Sequence, residues 1–214
     1  MEFLKTLTTH PRRRHACCSR LQPTHRTSSG DKPLTLASRN ESREIDRSAM
    51  EIQNPKILTV QEARVERDRL VADGKRLVFT NGCFDILHRG HVAYLTFARN
   101  QGDALLVAVN TDASVRLNKG EDRPINSQED RALVVASLRA VDFVVLFDDQ
   151  EPKEIIAEIL PQILVKGKDW AHYVSGREVV EENGGQVVLA DMVEGRSTTS
   201  AIEKILKVYG KQGV

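Results

Sequence analysis

The sequence predicts an α/β fold, a doubly wound parallel sheet of five strands, and three observations predict it. Short apolar runs alternate with helix-patterned segments from residue 59 onward, the order that builds strand–helix–strand units. The runs are apolar throughout instead of alternating with polar residues, as strands buried on both faces are. Each run is bounded by turn-forming residues, Asn81-Gly82 being the clearest pair, where a chain leaves a strand for a loop.

Thr59-Val60-Gln61-Glu62 has the capping-box spacing, so a helix should run to about Ala72 and end at Asp73-Gly74. Leu77 to Thr80 is the first strand, and the helix after it should place Val92, Leu95 and Ala98 on one face. Ala104 to Val109 follows as strand, Ser127 to about Arg139 as helix, and Phe143 to Phe147 as strand. Pro152 suits the first turn of a helix reaching Leu160. Ile163 to Val165 and Val187 to Leu189 complete the sheet, and Ile202, Ile205, Leu206 and Tyr209 stripe a closing helix.

With 214 residues, 40% of them hydrophobic, the chain can bury one sizeable core and carry a tail. Thirty-one Lys+Arg against thirty Asp+Glu leave a charge of +1, which argues against a protein that coats nucleic acid, so no nucleic-acid partner is expected. No apolar run approaches the roughly 18 to 20 residues of a membrane span, so a soluble, cytoplasmic protein without a membrane partner is expected. Cys17, Cys18 and Cys83 make neither a disulfide framework nor a zinc spacing, which fits a reducing compartment.

The charge is uneven. Residues 1–49 hold ten Lys+Arg and five Asp+Glu, leaving the remainder at −4. That first segment is rich in Arg, Ser, Thr and His and shows no apolar period, so it is expected to be a disordered tail, or a mis-assigned start if translation begins at Met50. Its Arg12-Arg13-Arg14 run reads as solvated.

In doubly wound sheets, ligands bind beyond the carboxyl ends of the strands where the strand order reverses. There the sequence places Thr80-Asn81-Gly82-Cys83-Phe84-Asp85, leading into His88-Arg89-Gly90-His91. His88 and His91 sit three apart at a helix start, so both rings share a face beside unpaired N–H groups and the positive end of the dipole. Gly90 lets an anion approach the backbone. Cys83 has no neighbour that would polarise its sulfur, so its backbone N–H is expected to matter more than its thiol.

These residues resemble the HxGH nucleotidyltransferase superfamily, which includes cytidylyltransferases and pantetheine-phosphate adenylyltransferase. From Phe79 to Ile205 the chain looks most like the adenylyltransferase domain of ADP-heptose synthesis, which in bifunctional enzymes follows a sugar kinase; with no kinase-sized segment ahead of it, the stand-alone form is expected. The chain is thus expected to divide into the tail at 1–49, an N-terminal helical segment at 50–74 and, from the resemblance, a Rossmann-like nucleotidyltransferase domain at 75–210.

The resemblance also implies site roles. His88, His91 and Lys119 would be catalytic, Lys119 as a mobile cation on the triphosphate. Gly82, Cys83, Phe84, Gly90, Arg123, Lys166, Gly167 and Asp169 would line the nucleotide and its phosphates, the Lys166-Gly167-Lys168-Asp169-Trp170 loop lying at the adenine, with Trp170 there or simply packing at the rim. Ser197, Thr198 and Thr199 would take the distal phosphates, and a plain Ser/Thr helix cap fits the same residues. Asp85, Asn110 and Asp112 would face the acceptor, Asp112 being equally suited to an Asx cap. Arg116, Lys119 and Arg123 are expected in a loop. Arg131 and Arg196 are further cations whose roles stay open.

The activity implied is transfer of AMP from ATP to D-glycero-β-D-manno-heptose 1-phosphate, with Mg²⁺ accompanying the ATP, no metal held by protein ligands, and a homodimer as the assembly. The alternatives are a cytidylyltransferase acting on a polyol phosphate such as glycerol 3-phosphate, and a nucleotide-binding module without turnover.

Overall fold

The computed structural model describes residues 54–191, 195 and 197–210, so the tail expected at 1–49, and Arg196, lie outside the described residues. Five parallel strands, β1 (Leu77–Gly82), β2 (Ala104–Asn110), β3 (Phe143–Phe147), β4 (Ile163–Gly167) and β5 (Gln186–Ala190), form one sheet in the order β3-β2-β1-β4-β5. The expected doubly wound sheet is present. The helices are α1 (Val60–Ala72), α2 (Arg89–Arg99), α3 (Asp112–Lys119), α4 (Gln128–Ala136), α5 (Lys153–Ile159), α6 (Arg177–Glu182) and α7 (Thr198–Tyr209).

The all-apolar strands feed two cores, because successive side chains point to opposite faces. Leu77, Phe79, Leu106, Ala108, Val145 and Leu164 pack on one face with Ala63 and Leu70 of α1 and Ile155, Ile156 and Ile159 of α5. Val78, Leu105, Val107, Val109, Val144 and Val165 pack on the other with Leu95 and Ala98 of α2 and Ala132, Val135 and Ala136 of α4. The capping box at Thr59 forms as read: Glu62 N–H donates to the Thr59 hydroxyl at 3.2 Å and Thr59 N–H to the Glu62 carboxylate at 2.8 Å.

The strand order reverses at β1, and there the sheet opens. Strand β1 stays in register with β2 from Leu77 to Gly82 but with β4 only at Val78 and Phe79. Beyond Phe79 the two strands diverge, leaving a crevice between the carboxyl ends of β1 and β4.

Several expectations are corrected. Asn81 and Gly82 belong to β1 instead of bounding it, and the helix after Ser127 ends at Ala136, not Arg139. Arg116 and Lys119 lie on α3, not in a loop; the helix is two turns long and carries no apolar stripe that would mark it. Val92 is 45% exposed, because the face of α2 that meets the sheet runs through Leu95 and Ala98. The stripe on α7 forms on a helix, yet Ile205, Leu206 and Tyr209 stay 53%, 62% and 62% exposed, and α7 buries no residue. Among the described residues no helix is long and apolar enough to cross a membrane.

Candidate active site

The crevice holds a cavity of about 230 Å³, lined by Asn81 and Gly82 of β1, Cys83 and Phe84 of the loop after it, His88, Gly90, His91 and Tyr94 of the α2 start, and Gly167, Asp169 and Trp170 after β4. The sequence places the histidines beside it through the cap of α2. His88 is the N-cap residue, extended at φ −142°, and its Nδ1 accepts the Gly90 N–H at 3.2 Å. In neutral His88 the proton therefore sits on Nε2, which leaves that nitrogen as a donor. His91 stacks on His88 with centroids 3.9 Å apart and planes 17° from parallel, and the edge of Phe84 closes on it at 5.4 Å. Burial, and then the neighbouring His88, push the His91 pKa down to about 4. His91 is thus neutral near pH 7, and its Nδ1 is buried with no hydrogen-bond partner among the described residues. A buried polar atom without a partner is costly unless a ligand completes it.

Phe84 sits at φ +49°, a left-handed conformation that bulky side chains rarely adopt and that costs ~1–3 kcal/mol. Gly82 makes room for it, since a Cβ there would lie 3.1 Å from Phe84 Cε2. Asp85, 3% exposed, anchors the loop from below. Its carboxylate accepts from Ile125 N–H at 2.9 Å, Asn126 N–H at 3.0 Å and Arg123 Nε at 2.7 Å. Burial alone would raise the Asp85 pKa, but these donors outweigh it and hold it below the usual carboxylate range. Burial raises the Cys83 thiol against the opposing charges of Lys119, Arg131 and Arg123, so this sulfur is protonated at neutral pH and no thiolate nucleophile is available.

On the β4 side, the Lys166 ammonium bonds to Asn81 Oδ1 and ties the two diverging strands together. Burial lowers its pKa to about 8, against the pull of Glu151 and Asp169. The Tyr94 hydroxyl lies beneath the cavity, donating to Val165 C=O at 3.0 Å and bonded to Thr80 Oγ1 at 2.7 Å; burial pushes its pKa up to about 12. Trp170 is 53% exposed at the rim.

Of the residues singled out in the sequence, the cavity brings together Gly82, Cys83, Phe84, His88, Gly90, His91, Gly167 and Asp169. Lys119, Arg123, Lys166, Ser197, Thr198 and Thr199 do not line it. Lys119 ends α3 on the exposed surface, and Ser197 caps α7, its hydroxyl accepting Ser200 N–H at 3.0 Å. The acceptor-side polar groups are engaged internally. Asn110 Nδ2 donates to Ser114 Oγ at 2.9 Å, and the Asp112 carboxylate pairs with Arg131 at 2.7 Å. Asp112 does not cap α3, because Thr111 holds that position. Sequence reasoning missed Tyr94, which follows His91 by one helical turn, and that spacing was the available signal.

The family described as cytidylyltransferase-like matches residues 79–204. The chain belongs to the cytidylyltransferase-like family. The resemblance to HxGH nucleotidyltransferases therefore holds at family level, and with it an enzyme of the nucleotidyltransferase class. Among curated relatives of this cytidylyltransferase-like chain, the bifunctional protein HldE of Geobacter sulfurreducens is 55% identical over 142 residues, 66% of this chain and 29% of that protein. The HldE of Azorhizobium caulinodans is 49% identical over 162 residues, 75% of this chain and 34% of that one. The chain thus spans about a third of the length of these relatives. A crystal structure described as the lipopolysaccharide core biosynthesis protein from Thermoplasma volcanium matches with a TM-score of 0.48 at 27% identity, over 57% of this chain and 100% of that one.

Proposed function

We propose that the protein transfers a nucleotidyl group from a nucleoside triphosphate to a sugar 1-phosphate, with ATP and D-glycero-β-D-manno-heptose 1-phosphate as its pair and ADP-heptose and pyrophosphate as products. The observation that carries this reading is the stacked His88–His91 pair at the start of α2, opening on the crevice where β1 and β4 part. Two imidazoles, a helix start and the Gly82–Phe84 backbone form a surface for an anion with nothing nearby to serve as a covalent nucleophile. The choice of heptose and of ATP is supported by the high identity to HldE proteins.

In this reading an oxygen of the sugar phosphate attacks the α-phosphorus in line, the bond to the β-phosphate bridging oxygen breaks, and that oxygen leaves with pyrophosphate. The protein aligns two anions and stabilises charge on the transferring phosphorus. His88 donates from Nε2, a neutral His91 donates from whichever nitrogen faces the phosphate, and Lys119 closes over the triphosphate; such preorganised donors are worth about 3 kcal/mol each. Arg123 and Lys166 add positive charge behind the loop, Gly90 admits the phosphates, Gly167 and Asp169 border the base, and Ser197 to Thr199 at the α7 start take the distal phosphates. Asp85 and Asp112 shape the acceptor side through the arginines they hold, with Asn110 beneath them.

Mg²⁺ enters this reading as part of the nucleotide. Among the described residues no group of three or more His, Cys, Asp or Glu could hold an ion, and the cavity wall offers imidazoles and backbone N–H groups with a single carboxylate, Asp169. Such a wall suits the phosphates of a chelated triphosphate better than a bare dication.

Pyrophosphate release from ATP and CTP, each with heptose 1-phosphate and with glycerol 3-phosphate, tests the proposal. ATP with heptose 1-phosphate is expected to lead CTP by a large factor in kcat/KM, because a base that leaves buried groups unpaired is rejected strongly. Turnover of glycerol 3-phosphate with CTP alone would establish the cytidylyltransferase alternative, and no turnover with any pair would leave a nucleotide-binding module.

A further inference from the structure

Arg131 is the largest fully buried side chain in the described structure, 2% exposed, and nothing in the proposed chemistry uses it directly. Each nitrogen of its guanidinium is bonded to a different segment. Nε donates to Asn126 C=O at 3.0 Å, Nη1 to Cys83 C=O at 2.7 Å, and Nη2 to the Asp112 carboxylate at 2.7 Å. Those segments are the loop before α4, the loop after β1 that lines the cavity, and the first turn of α3, the helix that ends in Lys119.

The Cys83 bond fixes more than a carbonyl. In a planar trans peptide the C=O and the following N–H point in opposite directions. With the Cys83 carbonyl gripped by Arg131, the Phe84 N–H is aimed away from it. Among the described residues that N–H has no hydrogen-bond partner, although Phe84 is 6% exposed and lines the cavity. Buried backbone donors are nearly always paired, so one left open on a cavity wall is a vacant donor for a ligand.

We infer that Arg131 is a positioning residue that holds the Cys83–Phe84 peptide with its N–H turned toward the transferring phosphate, and that through Asp112 it ties this peptide to the start of α3. This rests on the nucleotidyl-transfer reading above. The planar fork is required, because a lysine ammonium can pair with the Asp112 carboxylate but cannot reach three acceptors spread along two edges of a guanidinium. Burying a charge is costly unless it is fully paired, and three short bonds meet that condition.

The test uses the full chain, with Arg131→Met to remove the fork and Arg131→Lys to keep the charge. Wild-type turnover with the four substrate pairs comes first; if no pair turns over, the functional reading fails on its own, and Arg131 is read from calorimetric affinity for ATP and CTP. The inference expects folded Arg131→Met, compared at equal folded fraction, to lose roughly 30- to 100-fold in kcat, as small misplacements at a reacting centre do. Nucleotide Kd should rise about tenfold, the size of one lost charge-assisted grip on the loop. Arg131→Lys should recover less than a third of the loss. A folded variant with wild-type kcat and Kd would overturn the inference. So would failure of both variants to give a cooperative melt, which would make Arg131 a purely structural residue.

Discussion

The start of α2 and the start of α7 are each capped by a side chain, yet only the first is held by the core. Helix α2 buries Gly90, Leu95 and Ala98, and the hydroxyl of its Tyr94 reaches both β1 and β4. Helix α7 is held at its start by the Ser197–Ser200 capping box and buries nothing along its length. In the proposed reaction both helix starts address one triphosphate, α2 at the transferring phosphorus and α7 at the distal phosphates. The comparison separates two kinds of anion site: one whose geometry is fixed by folding before any ligand arrives, and one whose geometry rests on local hydrogen bonds. Preorganised donors are the ones that lower a barrier, because they need no rearrangement at the moment of reaction.

The largest effect expected from that difference is at α2. His88→Ala and His91→Ala should each lower kcat by roughly 10² or more, since each removes a donor used most in the transition state. The fold should survive, and in His91→Ala an unpartnered buried nitrogen disappears with the ring, so the melting temperature should fall little. Steady-state pyrophosphate release together with thermal melts reads both quantities. Normal turnover in either variant would remove α2 from the chemistry.

A second effect is seen in pH. His91 has a folded pKa of about 4 against an ordinary value of 6.5, so between those values the unfolded chain binds a proton that the folded chain does not. Stability then rises with pH across this window, and the contribution is lost as pH falls from 6.5 through about 4. The melting temperature of the wild type minus that of His91→Gln should therefore shrink as pH falls from 7 to 4, the direction set by the lowered pKa. A flat difference would mean that the ring is solvated and that the α2 start is as open as that of α7.

The same contrast explains what could be read from the sequence. Residues locked into the sheet were legible because burial on both faces leaves apolar runs, and Leu105 to Val109 has no other use in a chain of this kind. The Asn81–His91 stretch was legible because its chemistry is local: cap, glycine and paired histidines lie within one turn. Arg131 was not, because a buried arginine bonded to Cys83, Asn126 and Asp112 looks in sequence like one more cation on a polar helix start. Cys83 and Asp112 are brought to it only by the parallel pairing of β1 with β2, whose carboxyl ends they follow. Lys119 looks in sequence like a loop residue, because α3 buries only Ser114 and Val115, too few positions to show a period. The α7 stripe marks a helix with an apolar face, and its periodicity says nothing about what that face meets.

The smallest effect tests the weaker of the two helix starts. Ser197→Ala removes the hydroxyl that accepts Ser200 N–H at 3.0 Å, a loss of about 1 kcal/mol for an N-cap. Because α7 buries no residue, that cost should stay in the helix instead of reaching the core. Amide exchange at Ser200 and Ala201 should quicken several-fold while the global melting temperature moves by no more than a degree or two. Affinity for ATP should weaken by a similar small factor, since the phosphate site must then be organised from a less ordered helix start. A fall in melting temperature of ~4 °C or more, the size expected when 1 kcal/mol is lost from a cooperative core, would show that α7 docks on the sheet in solution. The two helix starts would then be the same kind of site.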